Sequence, residues 1–96
     1  MRIEFSARAL DDLERLLDHL VLHGVANAGE RIADLVAAID ILSRHPRIGR
    51  PAEPPLRELV IGKDARGYIA LYAYRPEQDV VRVVAIRSQR EAGYAG

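Results

Sequence analysis

The chain opens on alternation: Met1, Ile3 and Phe5 are apolar, Arg2 and Glu4 charged. A period of two marks a half-buried strand. From Ser6 the period lengthens, and Leu10, Leu13, Leu17, Leu20 and Val21 fall on one helical stripe. Ser6 stands where an N-cap hydroxyl meets an unpaired backbone N–H. Gly24 is the predicted stop, because glycine takes the left-handed conformation without a Cβ clash. Asp11 and Arg15 have the i,i+4 spacing of an ion pair on the wet side. A second stripe, Ile32, Leu35, Val36, Ile39 and Leu42, follows Asn27 and Glu30, which have the spacing of a capping box. Pro46 is expected to end that helix.

After the helices come four prolines in ten residues, "PRIGRPAEPP", a stiff extended connection. Three short apolar runs follow: "LRELVI" (56–61) closed by Gly62, "YIALYAY" (68–74), and "VVRVVAI" (80–86) after the turn-forming "PEQD". Connections this short favour an antiparallel meander. The expected fold class is α+β in two layers: an N-terminal strand, a helical hairpin, and a three-stranded meander completing one sheet, all one domain over residues 1–96.

If the three strands alternate regularly, one face carries Ile69, Leu71, Ala73, Val81, Val83 and Ala85. The other carries Tyr68, Ala70, Tyr72, Tyr74, Val80, Arg82, Val84 and Ile86. Both are too apolar to be left to water, and alternation alone does not choose the inward one. Tyrosines combine apolar area with a polar tip, as interfaces favour. A binding partner is therefore expected.

Charge adds direction. The formal net charge is zero, with 14 basic and 14 acidic residues. Residues 1–43 hold four arginines against eight carboxylates, and residues 44–96 reverse the excess. A protein living by phosphate contact alone would be more basic overall. With no cysteine, thiol chemistry and disulfides are excluded and a reducing, cytoplasmic setting is expected. No apolar run is long enough to span a bilayer, and no membrane association is expected.

Enzyme motifs are sparse. His19 and His23 share a helical face, but no Glu lies between them in the H-E-x-x-H arrangement of helical zinc sites. They read as surface or cap histidines, and His45 as a residue near a helix C-terminus. "GKDARG" reads as a turn rather than a phosphate cradle, and no Gly-x-Ser-x-Gly elbow occurs. No metal and no cofactor is expected.

Three stretches, "HPRIGRP", "LRELVIG" and "IRSQREAGY", together with the opening "MRIEFSARALDDLERLLDHL", give the chain its resemblance. It is similar over essentially its whole length to the RelE/ParE superfamily of toxins from bacterial toxin–antitoxin pairs. RelE-like members cut messenger RNA in the ribosome, whereas ParE-like members poison DNA gyrase without being nucleases. RelE-like enzymes resemble one another in an arginine just after the Gly-Tyr of the third strand, and in an arginine or histidine six residues before a tyrosine. Those positions here are Ile69 and Ser88, the latter six residues before Tyr94. Neither supplies the cation that phosphoryl chemistry needs. The resemblance therefore implies a ParE-like gyrase inhibitor with no catalytic residue, the alternative being a RelE-like ribonuclease.

The same resemblance places the target surface at the C-terminal end. Arg87, Gln89, Arg90 and Tyr94, helped by Arg57, Lys63 and Arg75, are expected to contact the gyrase–DNA complex, guanidinium groups pairing with carboxylate or phosphate. It also implies a ParD-like antitoxin that forms a hetero-oligomer with the toxin. Operator DNA would be reached only indirectly, through that antitoxin. Leu16, Leu22, Ile48, Tyr68, Tyr72 and Tyr74 are the expected antitoxin contacts.

Overall fold

A computed structural model describes residues 1–63 and 66–89. Its elements are β1 (Arg2–Phe5), α1 (Ala7–Leu22), α2 (Ala28–Ile39), β2 (Arg50–Pro51), β3 (Leu56–Ile61), β4 (Tyr68–Arg75) and β5 (Val80–Ser88). Short 3-10 turns follow α2 at Asp40–Ser43 and β4 at Pro76–Gln78. The strands form one sheet in the order β1-β5-β4-β3-β2. β1 runs parallel to β5, and the remaining pairs are antiparallel. The α+β architecture, the helical hairpin and the three-stranded meander are as expected. The strand at Arg50–Pro51 was hidden, because two residues inside a proline-rich run carry no periodicity.

Ser6 caps α1 as expected, its Oγ accepting the Ala9 N–H at 3.0 Å, and Gly24 turns the chain at φ +67°. Asn27 does not cap α2. It sits in the left-handed region at φ 59° with no side-chain bond to the helix, so the capping box is not formed. The expected α1 stripe is rotated. Leu10 and Val21 are exposed, and Ala9, Leu16 and Leu20 are the buried residues. Helix periodicity could not decide this, since α1 carries leucine or valine at seven positions between 10 and 22.

Polar tethers to the sheet decide it instead. β1 ends at Phe5, so beyond Val83 the β5 backbone loses its strand neighbour on that side. Side chains of α1 take over. Ser6 Oγ donates to the Val84 carbonyl at 3.0 Å, and Asp12 Oδ2 accepts the Ile86 N–H at 2.9 Å. Arg15 reaches the Ile86 carbonyl at 3.4 Å. Each bond satisfies a backbone group that would otherwise be left unpaired beside the core. Asp12, not Asp11, is the partner of Arg15, at 3.4 Å and i,i+3. The bonds to Ile86 turn α1 until Asp12 lies between Ala9 and Leu16 on the sheet-facing side.

Regular alternation fails once, in β5. Tyr72 pairs with Val83 but Leu71 pairs with Ala85, which leaves Val84 as a β-bulge. The β4–β5 register sets Tyr68, Ala70, Tyr72 and Tyr74 on the helix-facing side with Val81 and Val83, and the bulge adds Ile86 in place of Ala85. The core closes over these with Leu16, Leu35, Ile39 and Leu42.

Candidate functional site

Two surfaces carry the expected residues. The first is the outer face of the sheet, away from the helices. Register places Ile69 beside Arg87, Leu71 beside Ala85, and Ala73 beside Arg82. From β3, Glu58 pairs with Leu71 and Val60 with Ile69. A shallow cleft of about 100 Å³ lies there, lined by Glu58, Ile69, Leu71, Ala85 and Arg87. Its floor is hydrocarbon, with one guanidinium and one carboxylate at the rim. Glu58 is held by Arg50 across the β2–β3 pair at 2.9 Å.

Ile69 and Ser88, the two uncharged positions, lie on opposite faces: Ile69 on the outer face beside Arg87, and Ser88 paired with Tyr68 and lining the helix-side cleft.

Several expected target contacts are committed elsewhere. The Arg57 guanidinium donates to the carbonyls of Gly49 at 2.8 Å and Arg47 at 3.3 Å, and so clamps the loop. Gln89 is 4% exposed and its N–H donates to Gly67 O at 3.0 Å. A Cβ on Gly67 would lie 2.8 Å from the Ile61 backbone carbonyl and would also meet the Gln89 amide, which is why glycine precedes Tyr68. Gln89 is thus buried, whereas Arg57 is half-buried. Lys63, Arg75 and Arg87 are exposed. Arg90 and Tyr94 lie outside the described residues.

The second surface covers the helical hairpin and the loop after it. Leu16 is 3% exposed and Tyr72 0%, so neither is available to a partner. Tyr68 and Tyr74 are half-buried against the core. The Tyr72 hydroxyl accepts the Gly49 N–H at 2.9 Å, and a Cβ on Gly49 would lie 2.6 Å from that oxygen and 2.7 Å from Glu58 O. This explains the "IGRP" segment: its glycine lies directly over a buried tyrosine. Arg47 stacks above the Tyr74 ring at 5.0 Å, within the range of a cation–π contact. Leu22 and Ile48 are exposed as expected, at 82% and 53%. Leu10 and Val21 join Leu22 on the outer side of α1, a consequence of the helix rotation that alternation of residue types did not signal.

Between the helices and the β3–β4 turn lies a cleft of about 230 Å³, lined by Leu16, His19, Leu20, Arg31, Arg66, Gly67, Tyr68 and Ser88. His23 Nδ1 meets the His19 carbonyl at 2.8 Å. A carbonyl can only accept, so Nδ1 carries the proton. Among the described residues no group of three or more His, Cys, Asp or Glu side chains could hold a metal ion, and no helix is long and apolar enough to cross a membrane.

Residues 3–93 match the family model for the ParE toxin of the type II toxin–antitoxin system parDE. The chain belongs to the ParE toxin family. Toxin RelE3 of Caulobacter vibrioides is 32% identical over 90 residues, covering 93% of this chain and 95% of that protein. Among solved structures, the chromosomal ParDE TA system from P. aeruginosa matches with a TM-score of 0.75 and 24% identity, over 92% of this chain and 95% of that one. The intact E. coli RelBE toxin–antitoxin complex matches with a TM-score of 0.65 and 19% identity, over 91% and 94%. These two likenesses show the shared fold. This ParE-family chain is thus a type II toxin of the RelE/ParE superfamily.

Proposed function

We propose that this toxin acts by gripping DNA gyrase with the outer face of its sheet, not by cutting RNA. The observation that carries the reading is the composition of the outer cleft: Ile69, Leu71 and Ala85 with a single guanidinium, Arg87, and a single carboxylate, Glu58. Cleavage by a neighbouring 2′-hydroxyl develops negative charge on phosphate and needs cations to hold it. Here the cleft lining supplies a single cation, Arg87, and its other charged residue is Glu58, a carboxylate paired with Arg50. An apolar floor with charged rims suits a protein surface better. The contact set is Arg75 and Arg87, with Lys63 at the turn and with Arg90 and Tyr94 following β5 in the chain.

One observation favours the rival ribonuclease. Arg87, a cation, stands next to Ile69 on the outer face, where it could hold charge developing on phosphate while Glu58 takes a proton. Two assays on purified protein separate the readings. Gyrase supercoiling is expected to fall with added toxin while transcripts on programmed ribosomes stay whole. Cut transcripts beside unimpaired gyrase would overturn the proposal.

Neutralisation is proposed to come from a ParD-like antitoxin, by analogy with the ParDE and RelBE relatives. Its docking row is Leu10, Val21 and Leu22 on α1 together with Ile48, all exposed. A disordered segment that folds as an amphipathic helix fits such a row. Leu22→Glu with Ile48→Glu is expected to weaken antitoxin binding at least about tenfold, the scale of losing two apolar anchors. Titration calorimetry measures it. Unchanged affinity would move the antitoxin elsewhere.

A further inference from the structure

The sheet has two edges, and they are built differently. At one, β2 is two residues long and contains Pro51, a short proline-bearing strand that cannot template another. At the other, β1 has neither proline nor bulge. Its backbone parity can be read directly. Arg2 N–H donates to Asp79 O at 3.2 Å and Ser6 N–H to Val83 O at 2.9 Å. The even-numbered residues thus face β5. The N–H and C=O groups of Ile3 and Phe5 consequently point away from the sheet, and the β1 edge is open among the described residues.

We infer that this edge pairs with the β1 edge of a second copy of the chain, antiparallel about a two-fold axis through Ile3. In that register Ile3 meets Ile3 of the second copy, and the pair exchanges two N–H···O=C bonds. Phe5 N–H meets the Met1 carbonyl of the other copy, twice by symmetry. Arg2 then stands opposite Glu4 of the other copy, also twice. These are the non-hydrogen-bonded positions, where side chains approach closest.

The chemistry of the edge is self-complementary on both sides of the sheet. On the outer face the dimer adds two Arg–Glu contacts, at an edge where Glu4 is already approached by Arg2 at 3.6 Å and Arg82 at 3.9 Å. On the helix side Met1, Ile3 and Phe5 line an apolar cleft of about 230 Å³ with Val36, Ile39 and Asp40. Met1, Val36 and nearby Ile41 are exposed there, and a second Met1–Ile3–Phe5 row extends over them. A one-residue slip would set Ile3 against Glu4 and lose both charge pairs, so the register is specified. A strand-edge contact of this length lies at the low end of specific interfaces, and the dimer is concentration-dependent.

Pairing in one sheet fixes the two-fold axis perpendicular to it. The outer faces of both copies, each with Arg75, Arg82 and Arg87, lie on the same side of one continuous sheet. The dimer presents the target surface twice, whatever the target is.

Sedimentation equilibrium of the purified protein tests this. Over roughly a hundredfold concentration range the mass of the wild type is expected to rise from one copy towards two. Ile3→Pro removes an N–H that faces solvent, not β5, and is tolerated at an edge strand. It is expected to weaken self-association about tenfold or more, from two lost backbone bonds. Arg2→Glu sets Glu against Glu and Glu4→Arg sets Arg against Arg, so each alone is expected to be single. Mixed, they restore both opposite-charge pairs and are expected to form a heterodimer. A wild type that stays single throughout overturns the proposal, including the case in which only a different protein chain protects the Ile3 and Phe5 amides from exchange. So does a dimer indifferent to Ile3→Pro, or two charge variants that do not associate on mixing.

Discussion

Gly49 and Tyr72 show how closely single residues are fitted around the 44–51 segment. The Gly49 N–H is spent on the Tyr72 hydroxyl and its carbonyl on Arg57, and there is no space for a methyl group. Gly49→Ala is expected to destabilise the fold by about 1–3 kcal/mol, because one obstructing atom is the Glu58 backbone carbonyl, which cannot swing aside. Tyr72→Phe keeps the packing but strands the buried Gly49 N–H, at a cost of about 1–3 kcal/mol. Urea denaturation measures both, and a Tyr72→Phe variant as stable as the wild type would show that water replaces the hydroxyl. These roles were not visible beforehand. A tyrosine in a mixed strand reads as easily as an interface residue as a core one, and periodicity does not tell which face of β4 meets the helices.

At the scale of elements, most of the architecture was legible and its rotations were not. The limits of β3 were read to the residue, because Gly62 and the prolines punctuate the chain sharply. Helix ends at Ser6 and Gly24 came from capping chemistry that is local. The buried face of α1 is not legible in its periodicity, because which of seven apolar positions goes inward is set by tethers to a strand more than seventy residues away. Asp12 is the decisive tether, with its side chain only 13% exposed. Asp12→Ala is expected to cost about 1–3 kcal/mol by leaving the Ile86 N–H unpaired, and to speed hydrogen exchange at that amide. Asp11→Ala, on an exposed position, is expected to stay within about 0.5 kcal/mol of the wild type. Equal effects from the two would remove the tether from the account.

For the whole molecule, the two cationic positions Arg57 and Arg87 separate stability from action. Arg57→Ala is expected to lower stability by loosening the 47–49 loop, with gyrase inhibition by the folded fraction unchanged. Arg87→Ala is expected to leave stability within about 0.5 kcal/mol and to reduce inhibition about tenfold, the scale of one lost charged contact at a protein interface. Supercoiling assays paired with denaturation curves check both. Inhibition that survives Arg87→Ala at full strength would take the outer face out of the target contact. The chain's segregated charge is what a reader of the sequence sees first, but folding redistributes it. Arg50 is tied to Glu58 and Arg82 to Glu4, and Arg87 is left as the cation beside the apolar floor.

The bulge at Val84 makes the placement of that cation a matter of counting. Val84 is the residue without a partner across the ladder, so deleting it would leave Ala85 facing Leu71 and Ile86 facing Ala70 as before. Adding one residue between Ala85 and Ile86 would instead turn every later side chain over, sending Ile86 to water and Arg87 against the helices. A lineage could silence such a molecule with a three-nucleotide insertion that touches no charged codon.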